Sequence, residues 1–185
     1  LSAYTRMYGS TWLLRWAAPS GSPHLEMTLT GHIGTVNAVV ITPNGQRAIS
    51  GADDGTMRVW NLSTGVAEQV LAGHKGRIYG VALASDGRRA ISVGDYGVLR
   101  VWDLKTGAVD KIIVGPKDRI LTVGLTPDGQ RAISGGYDRT LRVWNLQTGA
   151  IEHELNGHRN KILAIAVTPD GRRAISGDDH SLRLW

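Results

Sequence analysis

Arg47-Ala-Ile-Ser50 occurs four times in this chain, and each copy begins 42 residues after the previous one. Glycine and tryptophan columns keep the same spacing, except that the last tryptophan comes one residue early: Gly31, Gly73, Gly115 and Gly157, then Trp60, Trp102, Trp144 and Trp185. A period of roughly 20–50 residues is typical of arrays in which each repeat forms one supersecondary unit. The fold therefore depends on what one 42-residue unit builds.

Each repeat contains four short apolar stretches separated by turn signals. In the first repeat we predict strands over residues 36–41, 47–50, 56–62 and 67–71. The first turn is Thr42-Pro-Asn-Gly45, and later repeats carry Asp-Gly at the same place. Proline sets φ for a tight reversal, and Asn-Gly or Asp-Gly tolerates positive φ. Regular short strands without a helical stretch predict an antiparallel all-β repeat.

The first predicted strand is apolar on both faces. Val36, Val39 and Ile41 alternate with the smaller Ala38 and Val40, and later repeats keep this pattern. A strand that is apolar on both faces is buried on both faces. Small residues between large ones suit a crowded inner strand, as in a four-stranded propeller blade between two neighbouring blades. We therefore predict an all-β propeller of four-stranded antiparallel blades, four of them in this chain.

The composition limits the possible chemistry. The 185 residues include no cysteine, which excludes disulfides, thiolate metal ligands and cysteine nucleophiles. No apolar run approaches the ~18 residues of a membrane span, and residues 1–16 lack the order of a signal peptide. We expect a cytoplasmic protein without membrane contact. The chain begins with leucine and ends at a tryptophan in mid-pattern, so we expect it to be cut from a longer protein.

The net charge of +5 raises the question of nucleic-acid binding. However, the arginines recur in two repeat columns rather than in one patch: Arg47, Arg89, Arg131 and Arg173, then Arg58, Arg100, Arg142 and Arg183. Long side chains with buried stems on solvated strands explain such columns. The sequence therefore argues against a nucleic-acid partner.

Two dipeptides point to a known family. Gly-His stands at residues 31–32, 73–74 and 157–158, and Trp-Asn or Trp-Asp stands at 60–61, 102–103 and 144–145. With these motifs the chain resembles the WD-repeat family of β-propellers over residues 25–185, in the form of bacterial-type arrays. The resemblance implies blade repeats at about 31–72, 73–114, 115–156 and 157–185. It implies a non-enzymatic scaffold for protein–protein interaction.

In that family a histidine, a serine or threonine, an aspartate and a tryptophan form a hydrogen-bonded chain within a blade. Carried onto this sequence, two repeats have complete sets: His32, Ser50, Asp54 and Trp60, then His158, Ser176, Asp179 and Trp185. Two repeats are incomplete. The second has His74, Ser92 and Trp102 with Tyr96 in place of the aspartate, and the third has Ser134, Asp138 and Trp144 with Pro116 in place of the histidine.

A histidine, serine and aspartate together also invite comparison with a hydrolase triad, which needs one exposed nucleophile and an oxyanion site. Here the set recurs with the repeats beside a structural tryptophan, so we predict a structural role and no catalytic residue. The remaining histidines fall in unrelated columns, which predicts no metal site: His24, His153 and His180. We expect no cofactor.

The resemblance implies that a partner docks on the edge of the blades where each first strand begins. The candidate positions flank the first-strand valine or isoleucine and precede the turn aspartate: Thr35, Asn37, Asp53, Arg77, Tyr79, Asp95, Arg119, Leu121, Tyr137, Lys161, Leu163 and Asp178. These columns vary among the repeats, whereas the apolar columns do not. Arginine and tyrosine are enriched at interface hot spots.

The ends of the array raise the question of ring closure. Residues 25–30 fit the fourth-strand columns and would complete the last blade, which ends at Trp185 without a fourth strand. Three arrangements stay open: part of a longer array, two chains sharing an eight-bladed ring, or a closed four-bladed ring. Residues 1–24 form an upstream segment whose part 17–23 is typical of a linker.

We therefore expect a protein-interaction scaffold, the sensor or interaction domain of a larger bacterial signalling protein, with a protein partner. Self-association that completes the ring is one alternative. A propeller that binds a ligand or a nucleic acid is another, but such a site would break the repeat pattern with polar residues on the first strands.

Overall fold

The computed structural model describes residues 4–8, 11–15 and 26–185. Near the N-terminus, strands β1 (Tyr4–Tyr8) and β2 (Thr11–Arg15) pair antiparallel. Both strands fall within the predicted upstream segment 1–24. The predicted linker at 17–23 lies outside the described residues.

Residues 36–155 form three four-stranded antiparallel sheets, in which each strand pairs with the next one along the chain. Blade one contains β3 (Val36–Ile41), β4 (Arg47–Ala52), β5 (Thr56–Asn61) and β6 (Ala67–Ala72). Blade two contains β7 (Ile78–Leu83), β8 (Arg89–Gly94), β9 (Val98–Asp103) and β10 (Val109–Val114). Blade three contains β11 (Ile120–Leu125), β12 (Arg131–Gly136), β13 (Leu141–Asn145) and β14 (Ile151–Leu155). The predicted antiparallel blades are confirmed.

Blade four has three strands in the described residues: β15 (Ala164–Val167), β16 (Ala174–Gly177) and β17 (Leu182–Leu184). Residues 26–30 adopt no regular secondary structure, so the fourth strand predicted over residues 25–30 is not formed in the described part of that segment. A strand needs a hydrogen-bonded neighbour, and none of the described strands pairs with this segment.

The apolar core lies between blades rather than within one blade. Ile49, Met57 and Val59 of blade one form one cluster with Ile78 and Val81 of blade two. A second cluster joins blades two and three in the same way, and a third joins blades three and four. The first strands of neighbouring blades lie side by side, which explains why they are apolar on both faces.

Glycines in the second strands of blades one and three make this close approach possible. A Cβ atom at Gly51 would lie 2.5 Å from Ile78 Cγ2, and one at Gly135 would lie 2.7 Å from Ile162 Cγ2. Each glycine therefore leaves room for the isoleucine that enters from the next blade.

Among the described residues, no helix is long and apolar enough to cross a membrane.

The antiparallel topology places the loops at two opposite edges of each blade. We call the edge that carries the loops before the first strand and after the second strand the upper edge; it includes residues 31–35 and 53–55 of blade one. The lower edge carries the turns between the first two strands, such as 42–45. The predicted partner-binding residues all belong to the upper edge.

Candidate functional site

In blade one, four side chains form a continuous hydrogen-bonded chain. Trp60 Nε1 donates to Ser50 Oγ over 2.8 Å, and Ser50 Oγ lies 2.7 Å from His32 Nε2. His32 Nδ1 lies 2.9 Å from Asp54 Oδ2. The ionised carboxylate only accepts, so Nδ1 carries the ring proton and Nε2 accepts from the Ser50 hydroxyl. The chain links the third strand, the second strand and the loop before the first strand.

Asp54 also orders the upper edge of blade one. It accepts hydrogen bonds from the backbone N–H groups of Ile33 and Thr56, both at 2.9 Å. Burial opposes ionisation of this carboxyl group, but these backbone bonds and those from His32 and Thr56 outweigh it and hold the pKa of Asp54 well below its ordinary value. The carboxylate therefore stays charged and joins the two upper loops of the blade.

In blade four the same chain uses Asp178, so the prediction of Asp179 is wrong. His158 Nδ1 lies 2.9 Å from Asp178 Oδ2, and His158 Nε2 lies 2.6 Å from Ser176 Oγ. Trp185 Nε1 donates to Ser176 Oγ over 2.8 Å. Compared with blade one, the loop has two residues fewer before the carboxylate and one more after it. Asp178 was also predicted as a partner-binding residue, but here its side chain is bound to His158 and is 2% exposed.

In blade two the chain stops at the histidine. Trp102 Nε1 donates to Ser92 Oγ over 2.8 Å, and His74 Nε2 lies 2.7 Å from the same oxygen. Tyr96 stands at the aspartate position but is 62% exposed and has a φ of 65°. Burial, together with the charge of Arg100, lowers the pKa of His74 to about 4. His74 is therefore neutral at neutral pH.

In blade three the aspartate takes a different partner. Trp144 Nε1 donates to Ser134 Oγ over 2.8 Å, as in the other blades. The sequence placed Asp138 in an incomplete set with Ser134 and Trp144. With Pro116 in place of the histidine, Asp138 instead forms an ion pair with Arg142. Arg142 Nε also donates to Glu154 over 2.7 Å. In the other three blades the equivalent Nε atom is buried without a hydrogen-bond partner: Arg58, Arg100 and Arg183.

The buried position of these sets does not suit nucleophilic catalysis. Ser50 is 4% exposed and Ser176 is 1% exposed, and each already interacts with both a tryptophan and a histidine. A catalytic serine must reach a substrate carbonyl.

Among residues 26–185 and the two N-terminal strands, no group of three or more potential ligands could hold a metal ion.

In blades one, two and three, a β-bulge in the first strand contains one predicted partner-binding residue of the upper edge. The register of the first two strands shifts between Val36 and Ala38, between Ile78 and Gly80, and between Ile120 and Thr122. The extra residue in each case is one that the sequence placed at the upper edge: Asn37, Tyr79 and Leu121. Bulges re-aim side chains in this way and recur at functional edges of sheets.

The upper edge also carries contacts from blade to blade. Arg77 of blade two lies 3.7 Å from the Asp53 carboxylate of blade one, measured from Nε to Oδ2. Arg119 of blade three lies 3.2 Å from the Asp95 carboxylate of blade two, measured from Nε to Oδ1. Asn37 donates to Asp53 over 2.8 Å and to the carbonyl of Ile78 over 2.9 Å. These side chains connect neighbouring blades as well as facing solvent.

Between blades three and four, an aromatic ring replaces the carboxylate. The Tyr137 ring lies near two cations, with Arg119 Cζ 5.5 Å and Lys161 Nζ 5.9 Å from its centroid. These distances allow cation–π attraction.

Tyr79 donates to Asp95 over 3.3 Å. The Thr35 carbonyl accepts from Asp53 N over 2.9 Å, and Leu163 is 38% exposed.

Further exposed residues of the upper edge were missed from the sequence. Arg139 takes a φ of 64° at the position that holds Gly55 and Gly97 in the first two blades. Tyr96 takes the other positive φ of a non-glycine residue in the described part of the chain. Three cations in the loops before the first strands are exposed: Lys75, Lys117 and Arg159. The departures at residues 96 and 139 were visible as breaks in the repeat columns, but the exposure was not.

The strands, the upper edge and the hydrogen-bond sets together define a repeat protein of WD type. Residues 24–61, 65–103, 108–145 and 149–185 match the WD40 family, described as WD domain, G-beta repeat. The chain belongs to this family, whose members are in general scaffolds for protein interaction rather than enzymes. The last three matched units each begin just before an outer strand and end at or next to a third strand, so each spans parts of two neighbouring blades.

The chain is similar to eukaryotic proteins over short segments. It is 40% identical over 50 residues to the pre-mRNA-splicing factor prp46 of Emericella nidulans, which covers 27% of this chain and 10% of that protein. It is 57% identical over 40 residues to the ribosome biogenesis protein erb1 of Neurospora crassa, which covers 22% and 5%. It is also 42% identical over 41 residues to prp46 of Aspergillus fumigatus, a match that covers 22% of this chain and 9% of that protein. The matches span a tenth or less of each relative and do not support the expected bacterial type.

Proposed function

We propose that this chain is a protein-interaction scaffold whose partner docks on the upper edge of blades two to four. The observation that carries the proposal is the unequal exposure of the charges there. The side chains of Arg77 and Arg119 are 57% and 52% exposed, whereas their partners Asp53 and Asp95 are 26% and 18% exposed. An approaching protein therefore meets the guanidinium groups before it meets the carboxylates.

The surrounding residues extend this basic surface. Lys75, Lys117, Arg139 and Arg159 are exposed, and Asp138 and Asp178 are held by Arg142 and His158. Tyr137 and Tyr96 add aromatic surface that is 44% and 62% exposed. Arginine and tyrosine together are typical of hot spots in protein interfaces. We infer that the partner presents an acidic segment, since opposite charges steer association.

Paired substitutions at opposite edges test this proposal. Arg77→Ala/Arg119→Ala removes two charges from the upper edge, and Arg88→Ala/Arg172→Ala removes the same charge from the lower edge. Chemical cross-linking with mass spectrometry, with the protein as bait in an extract of its source, would identify the bound partner. We expect the upper-edge variant to lose that partner and the lower-edge variant to keep it. Equal recovery by both variants would contradict docking at the upper edge.

A nucleic acid is the competing partner for a basic surface, and the same variants separate the two. A protein partner identified by cross-links to Tyr96 or Lys117 supports the proposal. Binding to a short single-stranded RNA that falls steeply with salt, and is lost in the upper-edge variant, would replace it. Thermal melting of both variants shows whether the loss of inter-blade ion pairs has altered the fold. The cytoplasmic location expected from the sequence stays a prediction.

Self-association that completes the ring stays a prediction from the sequence, and light scattering over a range of concentrations tests for it.

A further inference from the structure

In blades one and three, a carboxylate in the same repeat column binds two different partners. Asp54 Oδ2 of blade one lies 2.9 Å from His32 Nδ1. Asp138 of blade three forms an ion pair with Arg142. We call the place of this carboxylate the carboxylate position of a blade. It lies within reach of both the histidine of the Gly-His motif and the arginine of the third strand.

Blade two keeps both of these partners but has no carboxylate between them. His74 is its Gly-His histidine, Arg100 is its third-strand arginine, and Tyr96 stands in the aspartate column. Burial and the charge of Arg100 lower the pKa of His74 to about 4, so the two groups are close enough to interact. Among the four described blades, blade two alone combines this histidine and this arginine without an aspartate.

The neutral His74 ring directs an N–H group toward the carboxylate position. Trp102 Nε1 donates to Ser92 Oγ over 2.8 Å, which leaves the serine hydroxyl proton to be donated elsewhere. Ser92 is fully buried, and the acceptor that the described structure places beside it is His74 Nε2, at 2.7 Å. Nε2 therefore accepts and Nδ1 carries the ring proton.

A backbone N–H group adds a second donor. In blade one, Asp54 Oδ2 also accepts a hydrogen bond from Ile33 N over 2.9 Å. Lys75 follows His74 in the chain as Ile33 follows His32. The described part of the chain shows no hydrogen bond from Lys75 N. The exposed side chain of Lys75 brings a positive charge to the same loop.

Arg100 supplies the charge, and its own blade does not neutralise it. In blade three, Arg142 Nε donates to Glu154, its neighbour on the outer strand. In blade two the neighbour of Arg100 on the outer strand is Ile112, which has no acceptor in its side chain. Arg100 Nε is buried without a hydrogen-bond partner in the described structure. Hydrogen bonds from a guanidinium to a carboxylate are among the strong ones.

One negative charge near the carboxylate position does not exclude a second carboxylate. Asp95 acts on His74, but it lies 3.2 Å from Arg119 Nε, which offsets its charge. Blade one has two adjacent carboxylates in the equivalent loop, Asp53 and Asp54. The loop therefore accommodates both. Tyr96 is 62% exposed and His74 is partly exposed, so a group from outside can approach.

We propose that the carboxylate position of blade two binds an aspartate or glutamate side chain of the partner protein. His74 Nδ1 and Lys75 N donate to this carboxylate, and Arg100 forms an ion pair with it. Asp54 shows that the position fits a planar carboxylate on a short side chain, which favours an acidic residue over a phosphate. The proposal rests on docking at the upper edge and specifies one contact of the acidic partner.

NMR titration with sodium formate tests the site in the unaltered protein. We expect formate to shift the His74 ring signals at pH 7 until they saturate, with a dissociation constant of about 1 mM or weaker, as three non-hydrogen atoms allow. The rings of His32 and His158 are internal controls and should not shift, because Asp54 and Asp178 already bind them. Equal shifts of all three rings, or the same shift in sodium chloride, would overturn the proposal.

Two substitutions at residue 96 provide a matched pair. Tyr96→Asp supplies a carboxylate from within the blade, so formate should no longer shift His74. Tyr96→Gly suits the positive φ of residue 96 and adds no carboxylate, so formate should still bind. Circular dichroism verifies the fold of both variants. Equal formate binding by the two variants would contradict the proposed site.

A short peptide tests whether the carboxylate comes from a protein. Acetylated and amidated Gly-Glu-Gly carries its only carboxylate on the side chain, and we expect it to shift His74 as formate does. Gly-Gln-Gly with the same ends is the uncharged control and should not. A response to formate without a response to either the glutamate peptide or its aspartate analogue would show a site for free carboxylate ions and overturn the protein source.

The partner identified by cross-linking separates this contact from docking in general. We expect Tyr96→Asp to lose that partner and Tyr96→Gly to keep it. If both keep it while Arg77→Ala/Arg119→Ala loses it, docking at the upper edge stands and the contact in blade two is wrong. If Tyr96→Asp loses it while Arg77→Ala/Arg119→Ala keeps it, the contact in blade two stands and the wider basic surface is wrong.

Discussion

Blades one and two have the same four strands but finish their hydrogen-bond sets differently. In blade one, Asp54 binds both His32 and the backbone of the loop that holds it. In blade two, His74 keeps its contact with Ser92 but has Tyr96 where the carboxylate would be. The strands and the Ser-Trp bond are thus independent of the carboxylate. What the carboxylate adds is a connection between the two upper loops and a favourable charge beside the imidazole.

The largest expected effect of this difference is a loss of stability in blade two at mildly acidic pH. His74 has a pKa of about 4 in the folded protein, against 6.5 for an unperturbed histidine. Between pH 6.5 and pH 4, the His74 side chain is protonated in the unfolded chain but stays neutral in the folded protein. The free energy of unfolding therefore falls as the pH is lowered through this range, by roughly 3 kcal/mol in all. Urea unfolding between pH 7 and 4 measures it.

His74→Gln is the control, because it removes the titrating group and should flatten this part of the pH profile. The carboxylates of blades one and four act in a lower pH range. The folded pKa values of Asp54 and Asp178 lie below the ordinary 3.8, so their contribution is present above that pH and is lost as the pH falls further. An equal slope above pH 4 in His74→Gln and the unaltered protein would contradict the assignment to His74.

A somewhat smaller effect is expected from removing the shared serine in two different blades. Ser50→Ala leaves both the Trp60 indole N–H and the His32 ring nitrogen without their partner, whereas Ser134→Ala affects only Trp144. An unsatisfied buried polar group costs about 1–3 kcal/mol. We expect Ser50→Ala to be about 2 kcal/mol more destabilising than Ser134→Ala in urea unfolding. Equal costs would mean that the histidine bond adds nothing to stability.

Restoring a carboxylate in blade two should give a moderate gain. Aspartate tolerates the positive φ of residue 96 better than most residues, and its side chain would face His74. We expect Tyr96→Asp to raise the pKa of His74 and to stabilise the fold by about 1 kcal/mol, as one added hydrogen bond does. NMR titration of the His74 ring and thermal melting measure both changes. Tyr96→Asn is the uncharged control, and an unchanged His74 pKa in Tyr96→Asp would refute the expectation.

The smallest effect is expected from the equivalent repair in blade three. Pro116→His supplies the missing histidine, but Asp138 is already held by Arg142, which also binds Glu154. The new imidazole would have to compete for the carboxylate, so we expect a stability change within about 0.5 kcal/mol, as for ordinary surface substitutions. Pro116→Ala separates the loss of proline from the gain of histidine. A clear gain over Pro116→Ala would show that Asp138 moves readily between partners.

The blades themselves were predictable because their causes are local. Turn residues, two-sided apolar strands and a strict period are all readable over a few residues, and the predicted strands of the first repeat match those of blade one closely. The aspartate of blade four was placed one residue too late. The loop between Ser176 and Trp185 is one residue shorter than in the other repeats, and the sequence does not show on which side of the carboxylate the chain is shortened. The position of His158 decides that Asp178 is the aspartate of the set.

The upper edge was predictable in position but not in its interactions. The resemblance to WD-repeat propellers placed Arg77, Asp53 and Tyr137 there, and their columns vary among the repeats. It did not show that Arg77 contacts Asp53 of the preceding blade, or that Tyr137 lies near Arg119 and Lys161. These contacts join residues about 20 positions apart, and those of Arg77 with Asp53 and of Lys161 with Tyr137 depend on how one blade is stacked on the next.

The sequence by itself determined the repeat unit, the strand order within a blade and the serine–tryptophan bond, because each depends on spacing within one period of 42 residues. The tertiary structure alone decided which carboxylates join a histidine and why Asp138 binds Arg142. Those outcomes depend on the packing of loops and blades, where a side chain takes the partner that the neighbouring loop or blade brings within reach. Asp54 and Asp138 therefore occupy the same repeat column but bind a histidine and an arginine, respectively.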